Sequence, residues 1–180
     1  VSTLKNLISC DRLPHLLFYG PPGSGKTSVI ICCANILYGE YSNAYLIHLN
    51  ASDERGIDVV RQRIKDFCNA SILFHPPKIK LVILDEADSM TDDAQLALRE
   101  IVVKNTEKVR FCLICNYVSK IIPQLKSRFS SFRFTPLKEE AIISRIKMIS
   151  LQENIEYDEY SLRLINKISK EDFRKYINIF

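Results

Sequence analysis

No stretch of this 180-residue chain approaches 18 uninterrupted apolar positions, and its first residues show no basic segment leading into an apolar core and a small-residue cleavage site. A membrane-spanning helix and a secretory leader are therefore not expected, and the chain reads as soluble and intracellular. It starts at Val1 rather than Met and stops inside the apolar pattern Tyr176 to Phe180, so it is expected to be a piece of a longer chain. Metal chemistry has little to draw on, because the three histidines, His15, His48 and His75, show no ligand spacing. Of six cysteines only Cys112 and Cys115 have C-x-x-C spacing, and both lie in the apolar run Val109 to Cys115. A redox pair belongs at a helix N-terminus and structural zinc needs four ligands, so buried, reduced thiols are expected. Internal repeats and low-complexity segments are missing too. Glycine is sparse, with five in all, three of them between positions 20 and 25.

Hydrophobic residues make up 47% of the chain, enough for one sizeable core or a core with a small appended unit. Short apolar runs at His15 to Tyr19, Ala44 to Leu49, Lys80 to Leu84, Val109 to Cys115 and Phe132 to Phe134 read as strands. Between them, Lys26 to Tyr38, Ile57 to Ala70, Asp92 to Lys104 and Ser119 to Lys126 read as helices. This alternation predicts an α/β fold, a parallel sheet flanked by helices, with ligands at the C-terminal ends of the strands. Pro136 breaks the pattern, and Glu139 to Gln152, Ser161 to Ile168 and Asp172 onward are all helix-like. The expected division is an α/β domain over 1–136 and a small helical domain over 137–180.

The run Gly20-Pro21-Pro22-Gly23-Ser24-Gly25-Lys26-Thr27 fits G-x-x-x-x-G-K-[ST] and stands between a strand and a helix, as that motif requires. Its glycines permit a loop whose backbone N–H groups wrap phosphate oxygens, and the helix that follows adds its positive N-terminal end. Lys26 would reach the β and γ phosphates of a nucleoside triphosphate, and the Thr27 hydroxyl would bind Mg²⁺. A Gly/Pro-rich turn without a ligand is the plainer alternative, which the Lys-Thr pair and its setting disfavour.

A second signal is the apolar strand Lys80 to Leu84, which ends in Asp85-Glu86. Acids at the tip of a buried strand face the region above the sheet. Asp85 can hold Mg²⁺ through water, and Glu86 can polarise a water that attacks the γ-phosphoryl group. The competing role, capping the next helix, suits Asp92 and Asp93 better. Asn116 ends the strand Val109 to Cys115, at the same edge of the sheet. An Asn after a strand is by itself a turn former, but at this place it can orient the water or sense the γ-phosphate.

Charge is unevenly placed. From Leu137 onward eight basic residues balance eight acidic ones, whereas residues 1 to 136 hold 17 basic and 13 acidic. Part of the excess falls between Arg55 and Lys65. If Ile57 to Ala70 is helical, Ile57, Val60, Ile64 and Phe67 share an apolar stripe, while Arg61 and Lys65 share a flanking face. Two cations one turn apart can follow a phosphate backbone, and with no aromatic side chains between them neither base stacking nor sequence readout is suggested. A solvated helix face is the alternative.

In these runs the chain resembles the AAA+ ATPases, and within them the small subunits of the eukaryotic sliding-clamp loader, replication factor C. The likeness is carried in one order by GPPGSGKTS (20–28), LNASDERGID (49–58), LVILDEADSMTDDAQLALR (81–99), FCLICNYVSKIIPQLKSRF (111–129) and FRF (132–134). The phosphate loop and acidic strand are common to many P-loop proteins, whereas ASDERGI and ICNYVSKIIPQLKSR are far more specific. The resemblance implies a P-loop AAA+ sheet followed by a helical lid, and an ATP hydrolase active mainly within an assembled complex, using ATP and Mg²⁺. It implies ATP contacts from Gly20, Pro21, Pro22, Gly23, Ser24, Gly25, Lys26, Thr27 and Ser28. Asn116 matches the family's first sensor, and Arg128 the arginine finger that reaches ATP on a neighbouring subunit. Arg174 matches the second sensor in the lid, but Tyr176 stands where the family has Ala, which adds bulk beside it. Phe129 replaces the usual Cys of the finger motif.

The same resemblance places the helix after Gly56 along a DNA duplex, which would assign Arg55, Arg61 and Lys65 to phosphate contacts. The partners it implies are the other subunits of a hetero-oligomeric ring, the sliding clamp and primer-template DNA in the nucleus, with no membrane. The family's upstream adenine-holding stretch and its downstream helical collar fall outside these residues. Two rival readings stay open: another AAA+ motor for DNA branch migration or protein remodelling, and a non-hydrolysing nucleotide-binding scaffold.

Overall fold

Val, Ile, Leu and Phe dominate the runs that become strands, and the central ones are buried on both faces. A computed structural model describes residues 2–10, 12–52, 57–70, 79–169 and 172–180. Five parallel strands, β1 (Leu16–Tyr19), β2 (Leu46–Asn50), β3 (Lys80–Asp85), β4 (Val109–Cys115) and β5 (Ser130–Arg133), form one sheet in the order β2-β3-β4-β1-β5. Parallel neighbours need crossovers, and helices supply them. These are α2 (Lys26–Tyr38), the single turn α3 (Ser42–Tyr45), α4 (Ile57–Asn69), α5 (Asp92–Asn105) and the short α6 (Pro123–Lys126), with α1 (Ser2–Ser9) ahead of β1.

The described residues fall into two compact units, one of Val1–Tyr19 with Lys26–Arg133, the other of Gly20–Gly25 with Phe134–Phe180. In the first, Val82, Leu84, Phe111 and Leu113 of the two central strands pack with Leu98, Ile101 and Val102 of α5 and with Ile64 of α4. Each such side chain contributes about 1.5–3 kcal/mol when fully buried. Register aligns Leu84 with Leu113 and Tyr19 with Cys115, so β1, β3 and β4 end side by side. His15, just before β1, is buried, and its Nδ1 accepts the Phe111 N–H at 3.1 Å. Burial first, and the Arg110 charge second, push its pKa down to about 4.

The second unit holds α7 (Glu139–Glu153), α8 (Glu159–Ser169) and α9 (Phe173–Ile179). Ile142, Ile146, Leu162 and Tyr176 form its core, where the Tyr176 hydroxyl donates to the Leu162 carbonyl at 2.6 Å. Asn154 ends α7 at φ 55°, and the Asp172 carboxylate caps α9 by accepting the Arg174 and Lys175 N–H groups.

The α/β expectation holds, with local differences. Ala44 and Tyr45 complete a helical turn, and β2 starts at Leu46. The helix expected over Ser119 to Lys126 is a 3-10 turn at Val118–Lys120 followed by α6, because Pro123 lacks an N–H and holds Ile122 extended at ψ 143°. The last strand starts two residues earlier than expected and ends one earlier, at Ser130–Arg133. Cys33, Cys68, Cys112 and Cys115 are buried, whereas Cys10 and Cys32 are exposed, against the expectation for cysteines in apolar stretches. Among the described residues no helix is long and apolar enough to cross a membrane.

Candidate nucleotide site

The glycines of the loop are there for conformation and clearance. Gly25 has φ +87°, a region L side chains rarely adopt, and a Cβ there would meet nothing within 4 Å, so backbone geometry alone selects glycine. Gly23, at φ +70°, also abuts the Asp172 carboxylate, which a Cβ would strike. This brings the loop Gly20–Gly25 against the N-terminal cap of α9, the helix that carries Arg174. Ser24 closes the loop by donating from Oγ to the Pro21 carbonyl at 2.7 Å.

Lys26 and Thr27 open α2, where the helix N-terminus leaves N–H groups without intrahelical partners. The Lys26 Nζ donates to the Asn116 Oδ1 at 2.9 Å, and the lysine is only 7% exposed. The Thr27 Oγ1 donates to Asp85 Oδ2 at 2.8 Å. Two adjacent residues of one helix thus meet the ends of two neighbouring strands, β3 and β4. The hydroxyl and carboxylate oxygens of Thr27 and Asp85 are an all-oxygen set, which suits a hard divalent cation such as Mg²⁺.

Glu86 follows Asp85 in a left-handed conformation, φ 55°, that is unusual for a residue with a Cβ. Its own N–H donates to Asp85 Oδ1 at 2.9 Å, and its carbonyl accepts the Ser89 N–H at 2.9 Å and the Ser89 hydroxyl at 2.7 Å. Its exposed carboxylate lies 2.6 Å from the Ser52 Oγ, which is also 2.7 Å from Asn50 Oδ1. Such strain gathers at functional sites.

The remaining predicted residues fall in three places. Arg128 is exposed on the turn after α6, between Leu125 and Phe129, both buried in the core. Phe129 packs beside His15 with ring centroids 5.6 Å apart, so the residue that departs from the finger motif serves as a core anchor. Arg174 is exposed on α9, while Tyr176, two positions on, points into the helical core. Along α4, Lys65 is exposed and Arg61 half-buried, with Ile64 facing the core. Arg55, and the side chains of Ile57 and Val60, lie outside the described residues.

Three residues here lie within the runs that carry the resemblance but had no role of their own assigned from the sequence. Ser52 approaches Glu86, and Asp88 accepts the N–H groups of Asn116 and Tyr117. Gln95 is fully buried in α5, donates to the Met90 and Lys120 carbonyls, and accepts the Ile122 N–H at 2.9 Å. An amide on the core face of an amphipathic helix was the available signal for Gln95.

Residues 16–137 match the family model of the ATPase family associated with various cellular activities (AAA). The chain is 50% identical over 180 residues to replication factor C subunit 5 of Mus musculus, covering 99% of this chain and 53% of that protein. Identity is also 50%, over 179 residues, to the replication factor C small subunit of Staphylothermus marinus, covering 99% of this chain and 54% of that one. The chain therefore spans about half the length of the curated relatives it matches. Among solved structures, the Aeropyrum pernix ORC1 protein in complex with DNA aligns at TM-score 0.73 and 18% identity, covering 97% of this chain and 56% of that one, a likeness of fold alone. The matched residues take in the glycine loop, Asp85, Glu86 and Asn116, and the chain belongs to the AAA family of ATPases.

Proposed function

We propose that this chain is the ATP-binding part of a subunit of a DNA sliding-clamp loader, which couples ATP binding and hydrolysis to placing the clamp on primer-template DNA in the nucleus. The observation that carries the reading is the convergence of Lys26 and Thr27 with Asn116 and Asp85. The roughly 50% identity to replication factor C subunits favours the loader over another AAA+ motor. Retention of Lys26, Thr27, Asp85 and Glu86 argues against a non-hydrolysing scaffold.

In this reading Gly20 to Ser28 cradle the phosphates, and Lys26 neutralises the β and γ oxygens. Thr27 and Asp85 would hold Mg²⁺, which when bound offsets charge on the phosphate oxygens. Glu86 accepts a proton from the attacking water as the new O–P bond forms and the bond to the ADP oxygen breaks. Asn116, tied to Lys26, orients that water. Arg128 reaches the nucleotide of an adjacent subunit, so charge stabilisation in the transition state depends on a formed interface. Arg174 approaches the phosphates from the lid. Arg61 and Lys65, together with Arg55, follow the DNA backbone, which makes binding salt-dependent and indifferent to sequence.

The test is steady-state ATP hydrolysis by the full-length protein, alone and then with ring partners, sliding clamp and primed DNA, with an Arg128→Ala version alongside. Low activity alone, strong stimulation by the full mixture and its loss in Arg128→Ala support the reading. Equal activity in every mixture would point to a self-sufficient motor instead.

A further inference from the structure

Beyond the end of β4 the sheet no longer satisfies the backbone. The last register pairs are Leu84 with Leu113 on one side and Tyr19 with Cys115 on the other, so the N–H groups of Asn116 and Tyr117 lie outside the ladder. Both donate to one oxygen, Asp88 Oδ2, at 3.3 and 3.2 Å. A carboxylate that accepts two consecutive N–H groups makes charge-assisted bonds and fixes the peptide planes between them. Asp88 itself belongs to the 3-10 turn Ala87–Ser89, fastened by the bonds of Ser89 to the Glu86 carbonyl. That turn begins two residues after Asp85. The strand end that carries Asp85 and Glu86 is thereby linked, through one half-buried side chain, to the loop that carries Asn116.

We infer that Asp88 is a positioning residue: it sets the backbone of Asn116 so that the Asn116 amide oxygen meets Lys26 Nζ, and so keeps the water-orienting group in register with Asp85 and Glu86. The inference rests on the reading of this site as an ATP-hydrolysing centre. A purely structural role is a poor fit, because Asn116 and Tyr117 are exposed and water can replace the lost acceptor at little cost to folding. What water cannot replace is the fixed position of the loop.

The test uses the full-length protein in its native assembly, with Asp88→Ala, Asp88→Asn, Asn116→Ala and the double variant Asp88→Ala/Asn116→Ala. Asp88→Ala is expected to leave ATP affinity within about twofold while turnover falls on the order of tenfold, since a displaced catalytic group costs rate more than binding. Hydrogen–deuterium exchange across residues 113–120 should quicken in the same variant. Asp88→Asn keeps a carbonyl that can accept both N–H groups, so it should restore most of the turnover and the protection. In the Asn116→Ala background Asp88→Ala should add little further loss. A full additional loss in that background, or unchanged exchange at 113–120 in Asp88→Ala, would overturn the inference. A wild-type assembly that never turns over ATP would instead count against the ATPase reading, and the exchange result would still decide whether Asp88 holds the loop.

Discussion

Thr27 and Asp85, 58 positions apart in sequence, are joined by a hydrogen bond of 2.8 Å from hydroxyl to carboxylate. The pair exists because a helix N-terminus follows β1 while β3 runs parallel to it two strands away in the sheet. Removing either oxygen should disable turnover while the fold persists. Thr27→Ala and Asp85→Asn are each expected to lower kcat by about two orders of magnitude. Rate measurements across a Mg²⁺ titration check this, and wild-type Mg²⁺ dependence in either variant would contradict the assignment.

Gly23→Ala should damage the loop by two routes, a strained φ and a clash with the Asp172 carboxylate. Affinity for a fluorescent ATP analogue is expected to fall by at least about tenfold, with backbone strain of about 1–2 kcal/mol behind it. Double substitution with Asp172→Ala should recover only a small part of the loss, since it removes the carboxylate clash but leaves the strained φ and the Phe173 backbone nitrogen 2.9 Å from the added Cβ.

His15 makes stability depend on acid. Its pKa is about 4 in the folded chain, against an ordinary 6.5, so between these values the unfolded chain binds more protons. Stability from this group is complete above pH 6.5 and falls as pH drops toward 4, by up to about 3 kcal/mol. Urea unfolding of wild type and His15→Gln between pH 7 and 4 measures the difference. The variant should show a shallower decline, and parallel curves would rule out the histidine as its source.

Tyr176 fills the core of the helical unit and donates to the Leu162 carbonyl. Tyr176→Phe is expected to cost about 1 kcal/mol for the lost hydrogen bond, and Tyr176→Ala about 3–5 kcal/mol for the cavity as well. Chemical denaturation of the full-length protein separates the two. Equal effects would mean that the ring contributes nothing beyond its hydroxyl.

The sheet and the residues at its edge were legible because their physics is local. An apolar strand ending in Asp85-Glu86 has few other places to put its acids, and the spacing from Gly20 to Thr27 encodes a loop that only glycines close. Helix limits read from Lys26 to Tyr38 agree with α2 because a largely apolar run fills the stretch between the loop and Gly39. Contacts between distant polar residues left no such trace. Ser52 meets Glu86 across 34 positions and Asp88 meets Asn116 across 28, and neither pair has a periodicity or a motif of its own. The left-handed backbone at Glu86 was equally hidden, since nothing in a Glu after an Asp signals positive φ. Ile122 and Pro123 carried a signal that the single helix expected over Ser119 to Lys126 passed over: the residue before a proline resists the helical region, and the segment divides there.

The most direct test of the account is the comparison of wild type with Glu86→Gln in the full-length protein, assembled with clamp and primed DNA. Glu86→Gln is expected to bind ATP about as tightly as wild type and to turn it over at least about a hundredfold more slowly, because the amide cannot accept the proton of the attacking water. Wild-type turnover in Glu86→Gln would contradict the assignment of the hydrolytic centre to the end of β3.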